Sequence, residues 1–133
     1  MPRAHKQVYD TRFFVEHFYS SDNDILARTK RELSDPSLQK TVSVIALHEF
    51  YRLNLERAGR DVALIRTNMI KDDFRCIDVD SRISIRGAEI RKKYTIPMGD
   101  SLIAATVSEL NAVCVTDDPH IRDIKEIKTR WII

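Results

Sequence analysis

The chain has 133 residues, with 22 Lys and Arg against 20 Asp and Glu, a formal net charge of +2 and 43% hydrophobic residues. This length and composition fit one globular domain, residues 1–133, and no window approaches the roughly 18 apolar residues of a membrane span. The charged N-terminus has no apolar run behind it, so a cytoplasmic protein is expected; Cys76 and Cys114 are too few for a zinc site and read as buried small hydrophobes.

In chain order, residues 6–9 form a short strand that stops at Asp10-Thr11. Residues 12–19 place Phe13, Phe14, His17 and Phe18 at helical spacing. Ser20-Ser21-Asp22 then caps a second helix over 23–33. After the loop Ser34-Asp35-Pro36 comes a brief strand, 40–43, and Ser43 caps a long helix that runs to Arg57 and is closed by Gly59. A further helix over 61–72 and a strand over 74–79 follow, and Asp80-Ser81 caps an amphipathic helix over 81–94. Pro97 and Gly99 punctuate the next start, Asp100 opens a helix ending near Asn111, and 112–115 reads as a strand buried on both faces. Thr116-Asp117-Asp118-Pro119 is a turn-like stop, before a helical turn near His120 and a last strand over 128–133. The alternation predicts an α/β domain with a mainly parallel sheet and helices on both faces.

Four acids stand out against that framework. Asp10 and Asp118 follow strands at their carboxyl ends, where α/β sheets bind ligands, although a helix cap or a turn explains each one singly. Glu49 has Ile45, Ala46, Arg52 and Leu53 as helical neighbours, and by itself it reads as a solvated Glu paired with Arg52. Asp100 is in line with Ile103, Ala104 and Val107, so capping accounts for its position but not for the apolar stripe it continues. Four carboxylates near one point take up protons unless cations are present. All-oxygen ligands select hard cations such as Mg²⁺ or Mn²⁺. A pair of such ions about 3.5–4 Å apart orients a water and stabilises the leaving oxygen of a phosphodiester, so the joint pattern points to metal-assisted phosphodiester hydrolysis.

Four segments carry a resemblance: Val8-Tyr9-Asp10-Thr11, Ser43-Val44-Ile45-Ala46-Leu47-His48-Glu49, Gly99-Asp100-Ser101-Leu102-Ile103-Ala104-Ala105-Thr106 and Val115-Thr116-Asp117-Asp118. In this order they resemble the PIN domain, a small metal-dependent ribonuclease fold, over nearly the whole chain. The resemblance implies a parallel five-stranded sheet and a pocket in which Asp10, Glu49, Asp100 and Asp118 hold one or two Mg²⁺ or Mn²⁺ ions. Asp117 is then a further or substitute ligand. It also implies endoribonuclease activity, often that of a VapC toxin of a toxin–antitoxin pair, and commonly a homodimer.

Thr11 and Thr116 have hydroxyls suited to holding a carboxylate or a metal-bound water, or are simply strand-end threonines. An RNA substrate must be steered by cations on the rim. Arg12 and Arg52 are the best placed, Arg91, Lys92 and Lys93 can track a backbone or be a solvated helix face, and His120 can touch a phosphate or lie free at the surface. A toxin implies an antitoxin that covers the pocket and docks on whichever of Phe13, Phe14, Phe18 and Tyr19 is exposed. The competing readings are a housekeeping RNA-processing nuclease and a catalytically silent RNA- or protein-binding module. The presence of all four acids argues against the silent module.

Overall fold

Short β-branched runs alternate with longer amphipathic ones, and the backbone follows that alternation. The computed structural model describes residues 5–133. Its elements are β1 (His5–Tyr9), α1 (Thr11–Tyr19), α2 (Asn23–Ser34), β2 (Leu38–Ser43), α3 (Val44–Arg57), α4 (Arg60–Asp73), β3 (Arg75–Ile77), α5 (Ser81–Tyr94), α6 (Met98–Leu110), β4 (Val113–Val115), α7 (Pro119–Arg122) and β5 (Lys128–Arg130). The strands form one sheet in the order β3-β2-β1-β4-β5, and every pairing is parallel. From β1 the chain steps outward to β2 and β3, then crosses back to β4 and β5. Right-handed crossovers therefore put α1 to α4 on one face and α5 to α7 on the other. The direction of travel reverses between β1 and β4, where Tyr9 lies beside Val115.

Capping fixes most helix starts as the sequence predicts. Asp22 accepts from the Asp24 and Ile25 amides, Ser43 from Ile45 and Asp80 from Ile83. Helix α6 departs from expectation. Asp100 does not open it: Pro97 is the N-cap, with φ −57° and no side-chain capping bond, and Asp100 lies in the first turn. Proline loses nothing at a position whose amide has no helical partner, so the Asp100 carboxylate is not spent on capping. The strands β3 and β5 are shorter than expected, three residues each. Both are edge strands with a neighbour on one side only. For the same reason Cys76 on β3 is half-buried and not enclosed as expected, whereas Cys114 on β4 is fully buried.

The larger core is aromatic. Tyr9, Phe13, Phe14, Phe50 and Phe74 pack edge-on or tilted under α1 and α3, with ring centroids 4.8–5.9 Å apart. Tyr9 is buried, and its hydroxyl donates to Glu32 Oε1 at 2.8 Å; Arg130 of β5 pairs with the same Glu32 and donates to Gln7 Oε1 at 2.7 Å. One network thus ties β1, α2 and β5 together. A second core of small and branched residues, with Ile83, Ile90, Ala104 and Ala105 at its centre, joins α5 to α6. There the helices approach so closely that a Cβ at Gly87 would lie 2.9 Å from Leu102 Cδ2.

The obstructing atom is the end of a flexible side chain, which sets the expected mutational pattern. Gly87→Ala should stay within about 1 kcal/mol of wild type, because the gain in helix propensity offsets the shift of Leu102. Gly87→Val should lose about 1–3 kcal/mol through overpacking. Urea denaturation midpoints measure both, and a Val variant as stable as wild type would contradict the close α5–α6 approach.

Candidate active site

Asp10 ends β1 and caps α1, and it is only 3% exposed. Both of its oxygens are held: Oδ1 accepts from the Thr11 amide at 2.8 Å, and Oδ2 from the Thr116 hydroxyl at 2.7 Å. Thr116 is fully buried just past β4, across the point where the sheet reverses, and its hydroxyl also accepts from the Asp118 amide at 3.0 Å. On the other side the Thr11 hydroxyl donates to Glu49 Oε1 at 3.0 Å. Gly99 faces the second oxygen of Glu49, and a Cβ there would lie 3.4 Å from Oε2, at van der Waals contact. Two threonines therefore string Glu49, Asp10 and the Asp118 backbone into one line.

Asp118 caps α7 by accepting from the His120 amide at 2.9 Å. The His120 ring comes back over both neighbouring acids, with Nδ1 3.1 Å from Asp100 Oδ2 and 3.6 Å from Asp118 Oδ1. One ligand atom from each of Asp100, Asp118 and His120 lies within 4.8 Å of the other two. Two carboxylates and one imidazole make a mixed donor set: the carboxylates suit Mg²⁺ or Mn²⁺, and the imidazole suits a transition ion.

Other expected residues fall elsewhere. Asp117 is bound by Arg12 at 3.0 Å, and the same guanidinium also pairs with Glu16. Arg52 pairs with Glu56 at 3.4 Å, one turn onward, and not with Glu49. Lys93 pairs with Glu126, while Arg91 and Lys92 line a groove of about 670 Å³ between α5 and the start of α6. A second groove, of about 760 Å³, runs from Thr11 and Glu49 past Ile45, His48 and Leu53 to Met98. Of the aromatic set on α1, Phe13 and Phe14 are in the core. Phe18 and Tyr19 are half-buried, with the Arg66 guanidinium over both rings. Sequence reasoning singled out His120 but not its contact with Asp100, and it missed the Arg12–Asp117 pair. No local spacing signals contacts across 20 and 105 residues.

The PIN domain family model matches residues 8–127. A search of curated proteins found no match. Among solved structures, VapBC2 from Rickettsia felis bound to a promoter DNA fragment superposes with a TM-score of 0.78 at 15% identity, covering 95% of this chain and 98% of that one. DNA-bound VapBC from Salmonella typhimurium also gives 0.78, at 18% identity and 97% and 99% coverage. The sarcin-ricin loop cleaving toxin VapC20 from Mycobacterium tuberculosis gives 0.72, at 17% identity and 92% and 98% coverage. At these identities the likeness is one of fold.

Burial dominates the electrostatics. It pushes the Asp10 carboxyl up to about 7; the bonds from Thr116 and Thr11 pull the other way, and Glu49 and Asp100 add to the rise. Asp100 is also raised, first by burial and then by Asp118, with His120 opposing. A carboxyl that binds its proton more tightly when folded favours the fold at low pH, and it loses that contribution as pH rises from about 4 through about 7. In chelator, Asp10→Asn should therefore be more stable than wild type at pH 8, by at most about 4 kcal/mol, and the gap should shrink to about 2 kcal/mol or less at pH 5. Denaturant titrations at the two pH values test this. A gap independent of pH would mean that the buried charge is not its source.

Proposed function

We propose a function from one premise: this chain belongs to the PIN-domain family. It is a Mg²⁺- or Mn²⁺-dependent endoribonuclease of the VapC type. The carrying observation is the convergence of carboxylates from β1, α3, α6 and the end of β4 on the sheet's reversal point, with the most buried one held by two threonines. Asp10, Glu49, Asp100 and Asp118 would hold one or two ions, and the raised protonation of Asp10 and Asp100 is what cation binding would relieve. A bound ion supplies charge stabilisation at the phosphoryl group and acidifies a water.

The chain's own residues do the rest. Thr116 and Thr11 fix the orientation of Asp10, and Thr11 leaves Oε2 of Glu49 free to accept a proton from water. On this reading the attacking group is a water and not a protein side chain. In-line attack by water leaves 5′-phosphate and 3′-hydroxyl ends. RNA enters along the grooves flanked by Arg52 and by Arg91 and Lys92. The similar structures include a toxin–antitoxin complex from Klebsiella pneumoniae, which supports an antitoxin as the partner here; it would cover the groove beside Glu49, and a cytoplasmic homodimer is our own further reading. Among the described residues, no helix is long and apolar enough to cross a membrane.

With a mixed pool of structured RNA in Mn²⁺, wild type should cut, and Asp100→Asn purified identically should lose about 100-fold or more in rate. Equal cutting by both would assign the activity to a contaminant. Products ending in a 2′,3′-cyclic phosphate would show attack by the 2′-hydroxyl and overturn the hydrolytic route.

A further inference from the structure

Arg12 stands two residues past Asp10 in the first turn of α1, and Asp117 one residue before Asp118 in the turn after β4. The guanidinium grips the carboxylate at two points, Nε to Oδ1 at 3.0 Å and Nη2 to Oδ2 at 3.4 Å. Nη2 also donates to Glu16 Oε1 at 3.2 Å, one turn along the same helix, so Arg12 is anchored from behind. Immediately beside this pair, Thr116 is bonded to Asp10 and accepts the Asp118 amide. Residues 116 and 117 are thus each fastened to the start of α1, and Asp118 is the next residue along.

We propose that the Arg12–Asp117 pair is a latch that sets where Asp118 stands relative to Asp10 and Asp100 and keeps Asp117 turned away from the acidic cluster. The proposal rests on the metal-dependent reading above. Arg12 is then a positioning residue and not a contact for RNA, and Asp117 is not a ligand. The side chains are 43% and 32% exposed, so the pair contributes little to global stability and its consequence is local. Geometry and charge make opposite demands here. If only long-range charge mattered, removing Arg12 would tighten a cation site and removing Asp117 would loosen it. With a latch, removing either one loosens the site.

The test compares wild type, Arg12→Gln, Asp117→Asn and the double variant by calorimetric titration with Mn²⁺ alone. Hydrogen exchange of the segment 116–122 in chelator is measured alongside. Each single variant should bind Mn²⁺ about 10-fold more weakly, as for other residues that orient ligands. The double should be no weaker than the weaker single, because both changes break one interaction. Exchange in 116–122 should rise in all three, and on RNA kcat should fall while KM holds within about twofold. Affinities that move in opposite directions, unchanged exchange, or a KM rise confined to Arg12→Gln would each overturn the latch. A wild type that binds no Mn²⁺, with exchange still faster in the variants, would overturn the metal-site reading and leave the latch standing.

Discussion

Burying the Asp10 carboxylate at the end of the central strand opposes folding, and the surrounding structure is arranged to tolerate it. The Thr11 amide and Thr116 hydroxyl satisfy both oxygens, yet protonation is still pushed up to about 7, so desolvation outweighs the two bonds. The neighbours make the position more demanding: Glu49 and Asp100 add negative charge when separating them would relieve it. A charge cluster kept at the expense of stability, at the reversal point of a parallel sheet, is the physical mark of a site.

Glu49 and Asp100 are carried by two different helices that share the aromatic core. Glu49 rides on α3, anchored by the aromatic core through Phe50. Asp100 rides on α6, which packs closely against α5 with Leu102 over Gly87. Gly99, at the start of α6, faces Glu49 and Ile45 of α3. The position of one acid relative to the other is therefore set by how two helices pack on a shared core, and not by any single loop.

Much of this was legible in the residues. Short β-branched runs between amphipathic segments announce an α/β chain, and acids directly after two of those runs mark the sheet's carboxyl edge, because strand ends and ligand sites coincide in such folds. Local spacing left other points open. Arg52 has Glu49 three residues behind and Glu56 four ahead, and helical periodicity permits either pairing. Tertiary structure decides, since Thr11 already donates to Glu49. An Asp after Pro-x-Gly imitates a cap, so local pattern starts α6 at Asp100 and the backbone starts it at Met98. The edge strands were overrun because their hydrophobic pattern continues past the last residue with a partner.

The bond from Thr116 to Asp10 closes a loop of 106 residues. A ribosome adding about 5–20 residues per second makes Asp10 several seconds before Thr116 exists, and further time passes before Thr116 clears the exit tunnel. Through that interval the carboxylate stays hydrated and ionised like any other, and Asp100 and Asp118 have not joined it. On the proposed reading, an RNA-cutting centre takes shape only once nearly the whole domain has been translated, so the activity and the finished fold arrive together.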